Sequence, residues 1–382
     1  MIFKMPIVDI HESKVIAQID EIRKRLKWAL QYTTKWTGYL RRNQLARAVQ
    51  GSNTIEGYRV TYEEAVDLVE GDKIDATAET RGALEGYRRA LTYVLQLWDD
   101  PHFVFDESLI KSLHYMMTEH IPEKHPGKWR TGPIYVRREL SGERVYEGPD
   151  AALVPTLMHE FIGELADYDL KVPVIVRAAM AHLNLVMIHP FSDGNGRMGR
   201  AVQTLVLTRD GILDPLFSSI EEYLGSRGNT ETYYSVLAEV GQGRWNPGND
   251  ARPWIRFCLR AHLQQAITLD RRTKEIARLF SDLEAEITRR GLNERVISAL
   301  YDAAIGFRVK SDKYRISADI SPQVAAKDLS LLVKEGLLVP KGEKRGRVYI
   351  ASRTLFEIRE GAREQRTSLP PDIFGEQLEL LS

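Results

Sequence analysis

Between residues 189 and 200 the chain reads HPFSDGNGRMGR. Gly194 and Gly196 bracket Asn195, which lets successive backbone amides turn inward and form an anion-binding nest. Arg197 and Arg200 fall three residues apart, about 60° on a helix, so two guanidinium groups stand over that nest. Such a pair suits more than one phosphate. Asp193 offers the hard oxygen through which Mg²⁺ joins nucleotide phosphates. His189 is a candidate general base beside all of them. Singly, each has a plainer role: a helix-end histidine as a cap, Asp-Gly-Asn-Gly as a turn, an arginine pair as a solvated face. Phe191 is a core residue in either case. Together they describe phosphate-anhydride chemistry on a hydroxyl.

Such a loop needs rigid walls. Val174, Ala178, Ala181, Leu185 and Ile188 recur at three- and four-residue spacing, the mark of a helix buried along one face. Pro190 and the two glycines break it, and Met198, Val202, Leu205 and Val206 mark a second helix. The reactive residues therefore sit between two core helices, at a helix N-terminus whose amides and positive end attract anions.

The rest of the chain reads mostly helical. Helical spacing runs through Val15, Ile19, Ile22 and Leu26, then through Leu40, Leu45, Ala48 and Val49. Thr61 and Glu64 form a capping box, and Gly71 ends that helix. A second helical block starts near Phe105 and is interrupted by residues 125–150. There Ile134-Tyr135-Val136 and Val145-Tyr146 flank a Ser-Gly turn, which reads as a small β-hairpin. Helices resume from Ala152 to about Leu269, followed by a charged helical stretch over 271–290. Segment 291–353 reads as three helices and a hairpin around Gly342 and Gly346. From Thr367, with Pro370 and Pro371, a loosely held terminus is expected. The expected domains are 1–104, 105–270 and 271–382.

Lys plus Arg balance Asp plus Glu at 53 each, so any polyanion site must be built locally rather than by overall charge. Hydrophobic residues at 43% and charged residues at 28% exclude a largely disordered chain. Cys258 is the single cysteine, which rules out an internal disulfide, and its apolar surroundings suit a buried small hydrophobe. The N-terminus lacks the pattern of a secretory signal and no stretch reaches the apolar length of a membrane span. A cytoplasmic protein with no membrane partner is expected.

The pattern His-x-Phe-x-Asp-Gly-Asn-Gly-Arg-x-x-Arg over 189–200 matches the signature of the Fic family at every specified position. GKWR at 127–130, the hairpin after it and the helix from Ala152 also resemble that family's flap and following helix. The resemblance implies a mostly α fold: a Fic helical core with a small β-hairpin flap, an N-terminal inhibitory helical region and a C-terminal winged helix. It implies transfer of AMP from ATP to a Ser, Thr or Tyr hydroxyl of a protein target, with release of pyrophosphate. His189 would deprotonate the hydroxyl and Asp193 would hold Mg²⁺. Gly194, Asn195 (its side chain included) and Gly196 would hold phosphates, and Arg197 and Arg200 the β- and γ-phosphates. Family members that phosphorylate carry a lysine where Gly196 stands, so Gly196 favours AMP transfer. Ile134, Tyr135 and Val136 would dock the target segment as an added strand, the alternative being a plain surface hairpin.

Residues 52–57, SNTIEG, resemble the family's inhibitory motif. Ser52 and Glu56 lie four apart, and Gly57 stands where a helix would stop. The implied pair is Glu56 with Arg200, which would compete with the γ-phosphate. In some members the same glutamate supports AMP removal. In segment 291–353, which resembles a winged helix, the sequence 341–347 (KGEKRGR) is basic. The expected recognition helix sets Lys327 and Lys334 against Asp328 and Glu335 and reads as neutral. DNA contact through this module stands beside protein contact or dimer support, and similar proteins often form homodimers. Tyr233 and Tyr234 are as good for an adenine pocket as for core.

Overall fold

A computed structural model describes residues 1–30, 34–137, 142–167, 169, 171–209, 213–343 and 346–375. Helix accounts for 63% and strand for 5% of the chain, a mostly helical Fic fold with small β-hairpins. It divides into two compact units: Met1–Thr33 with Arg41–Ile267 and Ser368–Ser382, and Thr34–Leu40 with Thr268–Thr367.

The first unit holds α1 (Ile10–Leu30), most of α2 (Thr37–Ile55), α3 (Tyr62–Val69), α4 (Ala78–Gln96) and α5 (Glu107–Thr118). The hairpin β1 (Tyr135–Arg137) and β2 (Arg144–Glu147) follows, then α6 (Val154–Ala166), α7 (Val174–Ile188), α8 (Asn195–Thr208), α9 (Glu221–Leu224) and α10 (Arg227–Gly241). At its centre lies α7, buried at every position but Arg177; a helix wrapped on all sides is where a core is organised. Gly199 brings α8 against it, since a Cβ there would meet His182 and Val186 side-chain atoms at 2.7 Å. Trp254 is fully buried and donates its indole N–H to the Ala179 carbonyl at 2.7 Å. Phe3, also buried, pairs its backbone N–H and C=O with the Asn184 side chain at 2.9 and 3.1 Å. The capping box at Thr61 and Glu64 forms as the sequence reads, and Gly71 ends the turn after α3 in the left-handed region. Cys258 is buried, and burial pushes its thiol well above the ordinary range.

The units divide at Ile267/Thr268, close to the expected boundary at 270/271 and inside α11, which runs from Arg252 to Arg289. One expectation changes here: the tail is not loose as far as it is described. Leu369 and Ile373, four apart, are buried, and Arg260 donates to the carbonyls of Pro370 and Pro371 at 2.7 and 3.0 Å. Irregular backbone leaves such carbonyls in need of partners, and a guanidinium supplies them.

The second unit contains α12 (Ile297–Ala304), α13 (Ser311–Ser317), α14 (Pro322–Lys334), the hairpin β3 (Leu338–Lys341) and β4 (Val348–Ala351), and α15 (Arg353–Gly361). Val309 adds a bridge to Tyr349, with N–H···O distances of 2.8 and 2.9 Å both ways. Asp328 and Glu335 have partners other than the lysines of α14. Asp328 is buried and takes a two-point grip from Arg295 at 2.7 and 2.9 Å plus the Tyr314 hydroxyl at 2.8 Å. Glu335 faces Arg290 at 3.3 Å. Among the described residues, no helix is long and apolar enough to cross a membrane.

Candidate active site

His189 caps α7 in the left-handed region, at φ 52°, with its N–H on the Leu185 carbonyl at 3.0 Å. A non-glycine residue holds that conformation only when its surroundings enforce it. Pro190 disfavours continuation of the helix, and Arg130 does the rest. The Arg130 N–H donates to the Pro190 carbonyl at 2.9 Å. Its guanidinium donates to the carbonyls of His189, Gly132 and Pro149 at 2.8, 2.7 and 2.6 Å. One buried arginine thus ties the reactive loop to the backbone on both sides of the hairpin.

The His189 Nδ1 lies 3.0 Å from the Val186 carbonyl. A carbonyl only accepts, so Nδ1 carries the proton and Nε2 keeps its lone pair. Burial, helped by the Arg130 charge, lowers the imidazole below its usual range. The ring is therefore neutral at pH 7 and able to take a proton.

The loop after it is held from inside. Asn195 accepts from the Phe191 N–H at 3.0 Å and donates to the Phe191 carbonyl at 2.8 Å. Both polar atoms of its side chain hold the loop, and the second N–H of its amide, with the backbone N–H, is left for a phosphate. Phe191 stacks on His114 at 3.6 Å and 4°. The His114 Nδ1 accepts from Gly127 N–H at 2.8 Å, so Nε2–H donates to the Asp193 carbonyl at 3.0 Å. Burial takes His114 down to about 4, keeping it neutral for this task. Gly194 adopts φ 75°, and its N–H is taken by Asp193 Oδ1 at 2.6 Å. No side chain caps α8, so the first amides, at 195–197, stand open at the positive end of the helix.

Arg197 and Arg200 are each 1% exposed. Arg200 donates Nε to the Ser52 hydroxyl at 2.7 Å, and another nitrogen to the Ser52 carbonyl at 3.0 Å and to Glu56 Oε1 at 2.6 Å. Arg197 Nε and one terminal nitrogen, and one terminal nitrogen of Arg200, have no hydrogen-bond partner among the described residues. Buried charged donors are rarely left unmatched. Two such arginines beside open helix amides suit an anion of more than one charge.

Glu56 reaches Arg200 because Gly196 has no side chain. A Cβ at Gly196 would lie 2.5 Å from Glu56 Oε1. The helix that carries Ser52 seats backbone on backbone: a Cβ at Gly51 would meet the Glu221 carbonyl at 2.3 Å, and one at Gly225 would meet Gly51 Cα at 2.6 Å. Behind this seat Glu221 is buried, accepting from Tyr87 and Thr204 hydroxyls at 3.1 Å each and from Ser219. Gly57, at φ 86°, lets Tyr58 N–H return to the Asn53 carbonyl and closes α2.

Tyr233 proves to be core. It is 1% exposed, and its hydroxyl meets His182 at 3.1 Å, from which contacts lead through Gln203 to His262. Tyr234 is 45% exposed and donates to the Ile55 carbonyl, at the end of α2. In the hairpin, Tyr135 pairs with Glu147 and Val136 with Tyr146, while Ile134 lies just before the strand. Tyr135 is exposed; Ile134 and Val136 are half-buried. The Tyr146 hydroxyl anchors β2 to the Met187 carbonyl at 2.7 Å. Among the described residues β1 pairs on one side only. Ser141 of the expected turn lies outside the described residues.

Arg130, His114, Gly51 and Glu221 were not singled out by sequence reasoning. His114 gave a faint signal, standing among Ile110, Leu113 and Met117 on the buried face of α5.

Residues 104–207 match the model of the Fic/DOC family. The protein adenylyltransferase Fic of Culex quinquefasciatus is 29% identical over 191 residues, which cover 50% of this chain and 33% of that protein. The protein adenylyltransferase fic-1 of Caenorhabditis elegans is 25% identical over 260 residues, 66% of this chain and 46% of that one. The chain thus spans a third to a half of the length of these relatives. The crystal structure of a Fic family protein from Desulfovibrio desulfuricans G20 superposes with a TM-score of 0.58 at 22% identity, covering 92% of this chain and 99% of that one. That likeness speaks for the fold alone. Residues 104–207 are thus similar to the Fic/DOC family, and the chain is distantly homologous to the protein adenylyltransferases Fic.

Proposed function

We propose that the protein transfers AMP from ATP to a protein hydroxyl and that Glu56 holds this activity down. The observation that carries the reading is the pair of buried arginines, with unmatched N–H groups, at the open start of α8. His189 Nε2 takes the proton of the target hydroxyl, whose oxygen forms a bond to the α-phosphorus. The bond from that phosphorus to the bridging β-oxygen breaks and pyrophosphate leaves. Arg197, Arg200 and the amides of 195–197 hold the charge that builds on it, prepositioned rather than recruited. Asp193 suits a Mg²⁺ ion, since Oδ1 takes the Gly194 amide and Oδ2 has no hydrogen-bond partner among the described residues. Bound there, the ion would offset phosphate charge.

Glu56 sits on the Arg200 nitrogen that a γ-phosphate would need. A nucleotide then either displaces the carboxylate or binds in a pose unfit for transfer. The bare side of β1 suits a target segment laid along Tyr135 as a further strand, with Ile134 and Val136 beside it.

The test uses wild type, Glu56→Gly and Glu56→Gly/His189→Ala with Mg²⁺ and ATP labelled at the α- or γ-phosphate, cell lysate serving as target. The expected result is α label on protein, raised about tenfold or more by Glu56→Gly, the equivalent of roughly 1.4 kcal/mol of competition removed. His189→Ala abolishes it. Transfer of γ label would mean phosphorylation and defeat the reading. Label released from AMP-modified protein, with none transferred, would turn it into AMP removal.

A further inference from the structure

We infer that the exposed face of α14, with the hairpin β3–β4 beside it, is a docking surface for duplex DNA, a function independent of the nucleotide site. The chain as a whole is neutral, but its charge is not evenly spread. Between residues 291 and 363 there are 14 Lys and Arg against 9 Asp and Glu. The two acids nearest the α14 lysines are already engaged. Asp328 is turned inward onto Arg295 and Tyr314, and Glu335 faces Arg290.

Along one line of α14, with exposed Pro322, Ala326 and Leu331 beside it, lie Gln323, Lys327, Ser330 and Lys334, all exposed. At offsets of four, seven and eleven residues they form one stripe, within an arc of about 60°. Neither lysine makes an ion pair among the described residues. The stripe holds two cations, two hydrogen-bonding side chains and no carboxylate. A helix of 13 residues is about 20 Å long, a fit for the major groove, where Gln and Ser read base edges and Lys meets phosphate or guanine.

The setting agrees. The short link 318–321 joins α13 to α14, with Asp319 at φ 49° making the turn. Ser321 caps the start of α14 through the Val324 N–H at 3.3 Å. Two helices joined this way present the second one to a groove. On the hairpin, Lys341 and Arg347 are exposed at the strand ends, with one acid, Glu343, between them; Lys344 and Arg345 lie outside the described residues. Single-stranded nucleic acid calls for exposed aromatic rings on which bases stack. The only aromatic side chain in α13 and α14 is Tyr314, which is buried. A-form RNA has a major groove too narrow for a helix. Duplex DNA remains.

The test is fluorescence anisotropy of a labelled mixed-sequence duplex, about two helical turns long, titrated with the full chain at several salt concentrations. Binding is expected at about 50 mM salt, weakening by roughly three to five decades per decade of salt, at about 0.9 per phosphate contact. Lys327→Glu/Lys334→Glu should weaken it at least tenfold and reduce that slope by about two. The control Lys73→Glu/Lys124→Glu, which alters net charge equally elsewhere, should leave it within about twofold. Absence of binding at low salt, equal loss in the control, or tighter binding of a single-stranded RNA of the same length would each overturn the assignment.

Discussion

Two regions beside the buried arginines are built on different principles. On one side is the loop 189–195, fixed by directional hydrogen bonds: Arg130 on three carbonyls, His114 between Gly127 and Asp193, Asn195 on both polar groups of Phe191. On the other is α2, seated by the close approach of two glycines and held at its tip by Glu56. The loop keeps its shape through many interlocked donors and acceptors. The helix end rests on that close approach, on Arg200 bonds to Ser52 and on an ion pair whose carboxylate is 23% exposed. The loop is interlocked throughout, whereas the end of α2 meets Arg200 through an ion pair open to solvent on one side.

The sharpest way to break the contrast is to weaken the rigid side. In a Glu56→Gly background, Arg130→Lys keeps the charge but loses the planar fork, and should cut AMP transfer by about a hundredfold, measured as α-label incorporation at saturating ATP. Retained activity would show that the loop needs no such clamp. On the α2 side, Gly51→Leu has no room beside the Glu221 carbonyl. It should raise transfer several-fold without touching Glu56, on the order of 1 kcal/mol of lost seating; an unchanged basal rate would place inhibition in the ion pair alone. A smaller effect concerns protons. His189 is lowered from 6.5, so activity of Glu56→Gly should be flat above pH 7 and fall only at an inflection below 6.5. An inflection above 7 would remove His189 as the base.

Stability gives a further comparison. His114 is taken down to about 4 by burial, and His182 and His262 to about 3. Each binds a proton in the unfolded chain near pH 6.5 but not in the folded one. Their contribution is therefore complete above pH 6.5 and is lost as pH falls toward 4. The melting temperature of wild type should drop over that window, and His114→Asn should shrink the drop.

The candidate loop was legible in the sequence because it is local: twelve consecutive residues carry the candidate base, the carboxylate, the nest and both arginines. Glu56 was legible only beside that loop, by resemblance, since a lone helical glutamate has no distinguishing mark. What could not be read are contacts between distant positions. Arg130 acts on a carbonyl 59 residues away and His114 on one 79 away. Asp328 has the right position to cancel Lys327, but which way it faces depends on Arg295 in another element.

Gly196 constrains how this sequence could change over time. A lysine at that position brings a Cβ into the space that the Glu56 carboxylate now fills. On the proposed reading, such a change would push aside the Glu56 carboxylate, the movable end of a flexible side chain, and so alter donor chemistry and restraint in a single step.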